Sequence, residues 1–425
     1  MQDLIQPIGG LMTGGSLFRA QGDEPKVVVQ TIQFGDLSQL WPNIGSHPGV
    51  TGAGTGLDHQ QALLPAVGEG LERYCSSVYN KDQFVIETAT ELGDRALDLD
   101  TIPRCSDAEL SHPKCRLVAP NKNAPIRWVE GISLLDGRQV FLPVVMVYLY
   151  PGIFSPAERF YYPISTGCAA HVSLERALLS AILEVVERDA LSIVWLQKMA
   201  LPRINIDHLP PPLDSYWELY QRASKQLNYF FFDATTDLGI PTVYGLQVSR
   251  ANPTMTTLVL CSTTLAPADA IAKVFRDMSS CSVAFRNPPT IPESKDDFTD
   301  TLHGGAYMAR RQHAHAFEFL LQSPRTRPLS QMQTLTSDGE KQDLKTVLEI
   351  LRRKGLAVYA VELSTDEALR SGMRVVRVVI PGLQPVGFHY RARYLGHRRL
   401  YEAPAKMGYP VHSETQLNHW PQPFA

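Results

Sequence analysis

No hydrophobic run in this sequence is long enough to cross a membrane as a helix. The most apolar stretch, residues 140–154, falls short of the roughly 20 apolar residues that a spanning helix needs, and prolines interrupt it. Residues 1–10 include an acidic residue and no basic one, so they lack the basic start of a signal peptide. These absences predict a soluble intracellular protein without membrane contact.

Paired cysteines and an excess of one charge are also missing. The six cysteines are scattered, and no two are spaced as Cys-x-x-Cys, which argues against a zinc site and for reduced thiols in the cytoplasm. The formal net charge of −3 excludes a broad attraction to nucleic acid or to anionic membranes. We therefore expect a cytoplasmic globular protein that binds no nucleic acid.

Segments typical of strands and of helices follow one another in mixed order along the chain. Runs rich in β-branched and aromatic residues predict strands at residues 26–34, 138–150, 241–250, 256–265, 355–364 and 373–383. Helical periodicity is found at residues 57–79, 173–197, 268–286, 306–322 and 343–355. Ser173 is placed to cap the second helix, and Gly355 to end the last. The mixed order predicts an α+β fold rather than a regular doubly wound sheet.

A five-residue motif with two acidic positions and a basic one occurs twice, each time in a helical segment. The two copies are Glu69-x-x-Glu72-Arg73 and Glu184-x-x-Glu187-Arg188. Residues at i, i+3 and i+4 share a helix face, so one copy alone is more often a solvated face with an internal ion pair. Four carboxylates in one cleft, however, would repel each other unless a cation lay between them. Because Mg²⁺ prefers oxygen ligands and arginine suits phosphate, the pair predicts a metal-nucleotide site between two helices.

The context of the two motifs resembles the YcaO family. Residues 165–179 (STGCAAHVSLERALL) are similar to the family's stretch before the second motif, and the late strand ends in the family's Pro-Gly-Leu at residues 381–383. The chain also ends in a P-x-P tail, residues 421–425. The resemblance runs from about residue 45 to the end. It implies an N-terminal extension (1–44) and a YcaO domain with its tail (45–425).

The resemblance implies a YcaO-type α+β fold whose mixed sheets and helices form a cleft for ATP and Mg²⁺. The implied metal ligands are Glu69, Glu72, Glu184 and Glu187. The same carboxylates together with Arg73, Glu175 and Arg188 would bind the nucleotide. Glu175 is included because it adjoins a position where the family has glutamate.

A P-x-P tail implies, within the family, an ATP-dependent cyclodehydratase. Such an enzyme turns Cys, Ser and Thr of a ribosomal precursor peptide into thiazoline and oxazoline rings, which are collectively azolines. The catalytic residues would be Pro421, Pro423 and Ala425. Prolines fix the backbone angle φ, so they could hold the terminal carboxylate at the reacting amide as a base.

Several positions depart from the family pattern. Serine, asparagine and glutamate are replaced by Pro65, Val172 and Arg176, and a glutamate followed by glutamine is replaced by Asp277 with Ser280 and Cys281. The tail reads PQPFA where PHPFP is commoner. These changes keep the four carboxylates and remove polar nucleotide contacts, so the nucleotide either sits differently or binds more weakly. Two alternatives therefore stay open: a non-catalytic scaffold subunit, or a thioamide- or amidine-forming enzyme, against which the tail argues.

The resemblance also implies partners. The sequence has no cysteine-rich zinc module, and its first 45 or so residues are too few for a leader-peptide recognition domain. In the family these parts often reside on a ThiF-like or ubiquitin-activating-enzyme-like protein. We expect a stand-alone subunit that forms a homodimer or a hetero-complex and acts with such a partner, a precursor peptide and a flavin dehydrogenase.

Three other features are expected to be structural. His313 and His315 are two residues apart and diverge on a helix, so we expect solvent exposure or capping rather than a shared metal. Cys168 has no visible base and is expected to be buried. The aromatic run 229–232 is expected to form a buried strand rather than a stacking platform.

Overall fold

The computed structural model describes residues 4–5, 10–21, 24–35, 51–211, 213–223, 226–252 and 254–424. Its strands are β1 (Met12–Gly14), β2 (Leu17–Arg19), β3 (Val28–Phe34), β4 (Thr51–Gly56), β5 (Val85–Glu87), β6 (Ile126–Ser133), β7 (Gln139–Pro143), β8 (Cys168–His171), β9 (Arg203–Asn205), β10 (Leu227–Asp233), β11 (Thr242–Ser249), β12 (Thr257–Thr263), β13 (Thr326–Pro328), β14 (Tyr359–Glu362) and β15 (Arg374–Val379). Its helices are α1 (His59–Cys75), α2 (Ala89–Leu92), α3 (Asp107–Leu110), α4 (Val144–Val147), α5 (Leu174–Leu196), α6 (Leu213–Ala223), α7 (Pro267–Ala284), α8 (Thr301–Met308), α9 (Glu318–Leu321), α10 (Glu340–Arg353), α11 (Asp366–Arg370) and α12 (Arg399–Lys406).

The strands form sheets of four, five and six members. In the first, β3 lies between β1 and β2 and also pairs with β4. The second has the order β12-β11-β10-β9-β13, and its last pair is parallel. The third has the order β5-β6-β14-β15-β8, with β7 paired to β6. Helices and mixed sheets confirm the predicted α+β class.

Strand β4 was not predicted, because half of its sequence TGAGTG is glycine, which is rare in strands. It nevertheless pairs with β3 over residues 51–56 and lies directly against α1. A Cβ atom on Gly52 or Gly54 would approach the carbonyl oxygens of Ala66 and Ala62 to 2.2 Å and 2.1 Å, respectively. Glycine is therefore required here by the close packing of helix and strand backbones.

Helix α5 passes through two hydrophobic cores. Its first half, from Ala177 to Val186, packs with β15 and α10, and its second half, from Leu191 to Leu196, packs with the five-stranded sheet. Ser173 caps the helix as predicted, accepting a hydrogen bond from the backbone N–H of Arg176. Since the helix is surrounded by protein, polar residues at the junction of the two cores are enclosed rather than solvated.

Two predicted elements differ from the structure. The strand predicted at 138–150 ends at Pro143, after which residues 144–147 form the short helix α4. The helix predicted at 306–322 divides into the end of α8, a 3₁₀ segment (Arg311–Phe317) and α9. His313 in that segment is buried, not exposed, and its Nδ1 lies 2.7 Å from the carbonyl oxygen of Tyr307. His315 is exposed.

Predictions about Cys168, the aromatic run 229–232 and Gly355 agree with the structure. Cys168 and the aromatic run 229–232 lie in strands, with Cys168 buried. Gly355 follows the last turn of α10 with φ of +70°. Among the described residues, no helix is both long and apolar enough to cross a membrane. The boundary predicted near residue 45 falls outside the described residues, while β3 from the N-terminal side of it pairs with β4.

Candidate nucleotide site between the two motif helices

The two motif helices face a common cavity of about 900 Å³. Helix α1 contributes Glu69 and Glu72, and α5 contributes Glu187 and Arg188. Strands β4, β8 and β12 complete the walls, together with α7. The volume lies in the range of small-molecule sites. Sequence positions more than 100 residues apart therefore meet at one cavity.

Backbone N–H groups hold the carboxylates of α1. The Oε2 of Glu69 accepts a hydrogen bond from Ala53 N (2.6 Å), and its Oε1 lies 2.6 Å from Nη2 of Arg73. The Oε1 of Glu72 accepts a hydrogen bond from Ala170 N on β8 (2.9 Å). The glycine-rich β4 thus places an N–H group at α1 that a bulkier strand would hold farther away.

The carboxylates of α5 are held in the same way. Glu184 accepts a hydrogen bond from Gly167 N (2.9 Å) and lies 3.1 Å from Nη2 of Arg188. Glu187 is only 3% exposed and accepts a hydrogen bond from Thr263 N (3.0 Å). It also forms ion pairs with Arg188 and with Lys273 of α7, the latter at 3.6 Å. Glu187 therefore joins α5 to α7 at the junction of the two cores.

The electrostatics of the site favour a bound cation. Burial raises the pKa of Glu72 well above its ordinary value, and the charge of Glu184 raises it further. Burial also raises the pKa of Glu184, although Arg188 opposes the shift. Two desolvated carboxyl groups of this kind are stabilised in their charged form by a divalent cation. In the part of the chain that the structure describes, no group of three or more His, Cys, Asp or Glu residues is arranged to hold a metal ion.

Basic side chains also line the cavity, next to its carboxylates. Arg188, Lys273, Arg176 and Arg276 all line it, so the cavity combines carboxylates with several cations. This donor set fits a magnesium-nucleotide complex, since oxygen ligands suit the metal and guanidinium groups suit phosphate. Lys273, Arg276 and Asp277 occupy i, i+3 and i+4 of α7, and this spacing is the signal from which Lys273 and Arg276 could have been found.

The C-terminal tail is folded into the same site. Residues 421–424 are buried, and Phe424 forms a parallel bridge with Val259 of the edge strand β12. The ring of Phe424 lies 4.4 Å from Cζ of Arg188, and it lines the cavity. Upstream, Nε1 of Trp195 donates to the carbonyl oxygen of Trp420 (3.3 Å). Ala425 lies outside the described residues.

The positions that depart from the family pattern cluster at this cavity. Its lining includes Pro65, Val172, Arg176, Asp277, Ser280 and Cys281. The Val172 side chain is 63% exposed, which is unusual for valine and gives this wall an apolar surface. The departures therefore alter the cavity itself rather than a distant surface.

Besides the tail prolines Pro421 and Pro423, three of the predicted site residues do not line this cavity. Glu175 lies in the first turn of α5, where its carboxylate is 3.4 Å from Oγ of Ser173. Adjacent helix positions point about 100° apart, which is why Arg176 faces the cavity and Glu175 does not. Glu184 lies behind the lining, beside Gly167. Arg73 faces a second cavity on the other side of its pair with Glu69.

Comparison with known proteins identifies the family. A family model described as YcaO cyclodehydratase, ATP- and Mg²⁺-binding, matches residues 53–384. An uncharacterized protein in the tfuA 3′ region of Rhizobium leguminosarum bv. trifolii is 27% identical over 198 residues, which cover 44% of this chain and 43% of that protein.

Solved structures show the same fold. A heterocyclase in complex with substrate and cofactor matches with a TM-score of 0.80 and 23% identity, over 100% of this chain and 56% of that one. YcaO from Methanopyrus kandleri bound with AMPPCP and Mg²⁺ matches with a TM-score of 0.64 and 17% identity, over 88% and 86% of the two chains. The chain spans about half the length of the Rhizobium protein and of the heterocyclase. On the match over residues 53–384, this chain belongs to the YcaO family of ATP- and Mg²⁺-binding cyclodehydratases.

Proposed function

We propose that this protein catalyses the ATP-dependent cyclodehydration of Cys, Ser or Thr residues in a ribosomal precursor peptide, giving thiazolines or oxazolines. The observation that carries the proposal is the contact between Phe424 and Arg188 in the cavity of the motif carboxylates. It brings the chain terminus to the residues that suit a nucleotide. The similar heterocyclase, which is bound to substrate and cofactor, supports the same reaction class.

The reaction begins when the side-chain thiol or hydroxyl attacks the carbonyl carbon of the preceding amide. A carbon–sulfur or carbon–oxygen bond forms, and the former carbonyl oxygen becomes the hydroxyl of a hemiorthoamide. ATP, bound with magnesium, would supply the phosphoryl group that turns this oxygen into a leaving group, and ADP would be released. Loss of phosphate and of the amide N–H proton leaves a C=N bond, so the peptide has lost one water overall.

The residues of this chain have separate tasks in the proposal. Glu69, Glu72 and Glu187, which line the cavity, would hold the magnesium ion, and Glu184, whose charge acts on Glu72, is proposed as a further ligand although it is not part of the lining. Arg188, Lys273 and Arg276 would neutralise phosphate charge, as basic groups do in other phosphoryl transfers. Pro421 and Pro423 would hold the tail rigid, so that the carboxylate of Ala425 takes a proton in the reaction. Burial of residues 421–424 supports this task, since a buried tail has little freedom to leave.

Partners belong to the proposal as well. A ThiF-like or ubiquitin-activating-enzyme-like protein would bind the leader of the precursor peptide, and a flavin dehydrogenase would oxidise the rings. We propose a hetero-complex in the cytoplasm, where ATP is available and where cysteine thiols stay reduced. We also propose that residues 1–44 form an N-terminal extension and that residues 45–425 form a YcaO domain.

A reconstituted reaction tests the proposal. We incubate the purified protein with its partner, Mg·ATP and a Cys- or Ser-rich precursor peptide. The mass of the peptide is then measured by mass spectrometry. We expect the peptide to lose the mass of one water per ring, with one phosphate released each time. A peptide of unchanged mass in the presence of the leader-binding partner would overturn the proposal.

A scaffold role is the second candidate, and the exposed Val172 with Pro65 and Arg176 favours it, because polar nucleotide contacts are lost there. The Glu187→Gln variant separates the two. If the protein is a scaffold, the complex forms rings equally well with the variant. If it is the catalyst, ring formation collapses while the complex still assembles.

A further inference from the structure

A second cavity, of about 440 Å³, lies beside the nucleotide site. The two share elements: on α1, Glu69 and Glu72 face the first cavity and Arg73 the second. On β4, Ala53 lines the first cavity and Thr51 the second. The ion pair between Glu69 and Arg73 therefore lies between the two cavities, about one helix turn from the carboxyl group of Glu72.

Six of the residues that line this second cavity are aromatic, counting His389. The rings of Tyr162 and His389 stack face to face, with centroids 3.5 Å apart and planes within 3°. Tyr161 and Tyr394 form a second pair at 5.7 Å, and Phe388 lies next to His389 on the same loop. Burial lowers the pKa of His389 to about 4, so this ring is neutral at physiological pH and acts as an apolar surface.

This cavity has few charged side chains in its lining, whereas eight charged side chains line the first. Arg73 and Asp300 both line it, and the guanidinium of Arg73 is paired with Glu69 and still 42% exposed. A nucleotide phosphate would find no cluster of cations here comparable to Arg188, Lys273 and Arg276. An uncharged apolar side chain would instead bury its surface against the rings, while Arg73 offers N–H groups to a peptide carbonyl.

We infer that this second cavity binds the side chain of the peptide residue that precedes the Cys, Ser or Thr being cyclised, and that it prefers aromatic or large apolar side chains. The inference rests on the proposed function. The carbonyl of that preceding residue is the one attacked, so its side chain begins two bonds from the reacting carbon. A cavity adjoining the nucleotide site across a single ion pair is placed to hold it and to orient the amide.

The test measures peptide binding without turnover. Two synthetic peptides, acetyl-Gly-Phe-Cys-Gly-amide and acetyl-Gly-Ala-Cys-Gly-amide, are titrated against the full chain by saturation-transfer NMR. We expect the Phe peptide to bind on the order of tenfold more tightly, as a filled apolar pocket gives. The Phe388→Asp variant should abolish this preference and leave Mg·ATP binding, measured by calorimetry, unchanged.

The matched control is Phe18→Asp, since Phe18 is a partly exposed phenylalanine on β2 that lines neither cavity. It should keep the preference. If Phe388→Asp does not fold, Tyr162→Leu removes one ring of the stacked pair and gives the same test. Equal binding of the two peptides by the wild type, or a preference that survives in the variant, overturns the inference. The binding measurement involves no ring formation, so its result can be interpreted even if the cyclodehydration assay fails.

Discussion

At the scale of single residues, the four motif carboxylates are not equivalent. Glu72 and Glu184 are desolvated and have raised pKa values, whereas Glu187 is held between Arg188 and Lys273. The motif in the sequence identified all four, because its spacing is local. It could not distinguish them, since the difference comes from Lys273 and from backbone N–H groups of distant strands.

Replacing Glu187 with Gln should both destabilise the protein and weaken the nucleotide site. The amide keeps the shape of the buried Glu187 side chain but leaves Arg188 and Lys273 beside a neutral group, and removing one charge of a buried ion pair costs about 3 kcal/mol. Urea denaturation followed by circular dichroism measures the loss. The matched control is Glu349→Gln, which breaks the exposed pairs with Arg352 and Arg353 and should cost far less. Equal losses in the two variants would show that Glu187 is not the junction described above.

Acid should destabilise the protein through a buried histidine. Burial lowers the pKa of His397 from 6.5 to about 4 in the folded chain. The unfolded chain therefore binds the proton more readily between these values, and the free energy of unfolding falls as pH falls from 6.5 to 4, on the order of 3 kcal/mol. Urea denaturation at several pH values measures the slope. The free energy of unfolding should depend less steeply on pH in the His397→Asn variant than in the wild type. The control variant, His315→Asn, changes an exposed histidine and should keep the wild-type slope. Equal slopes in the wild type and both variants would contradict the role given to His397.

At the scale of elements, the periodicity of the sequence predicted only those helices and strands that pack through their side chains in the ordinary way. The amphipathic helices α7 and α10 were predicted within three residues at each end. Strand β4 was missed because its glycines serve the approach of α1, and no local pattern reveals that contact. The strand predicted at 138–150 stops at Pro143, after which α4 begins instead of a further strand.

The tail is positioned by another close contact of this kind. A Cβ atom on Gly304 of α8 would lie 2.2 Å from the carbonyl oxygen of Gln422. We therefore expect Gly304→Ala to push the tail off its site and to lower ring formation at least tenfold, while Mg·ATP binding is largely retained. The measurements are the reconstituted reaction and the rate of carboxypeptidase digestion, which should rise.

The matched control is Gly339→Ala, because a Cβ atom on Gly339 meets nothing within 4 Å. This variant should digest and react like the wild type. Normal ring formation by Gly304→Ala, with faster digestion of its tail, would mean that the docked tail is not needed for the reaction.

At the scale of the whole molecule, helix α5 joins parts that the sequence keeps far apart. It carries its motif at the junction of two cores, beside the six-stranded and five-stranded sheets, and the end of the chain returns to it at Phe424. The fold class, the doubled motif and the family could be predicted from the sequence, since each depends on a local pattern. The second cavity could not, because Arg73, Tyr162 and His389 come together only through the fold.

The altered wall of the nucleotide cavity makes nucleotide binding the point on which the whole account depends. Isothermal titration calorimetry of the purified full chain with ATP, in the presence and absence of Mg²⁺, tests it without any partner or peptide. We predict saturable binding that requires Mg²⁺ and that Glu187→Gln weakens by about tenfold or more, a change of about 1.4 kcal/mol. Absence of binding with Mg²⁺ present would contradict the account and leave the scaffold role in its place.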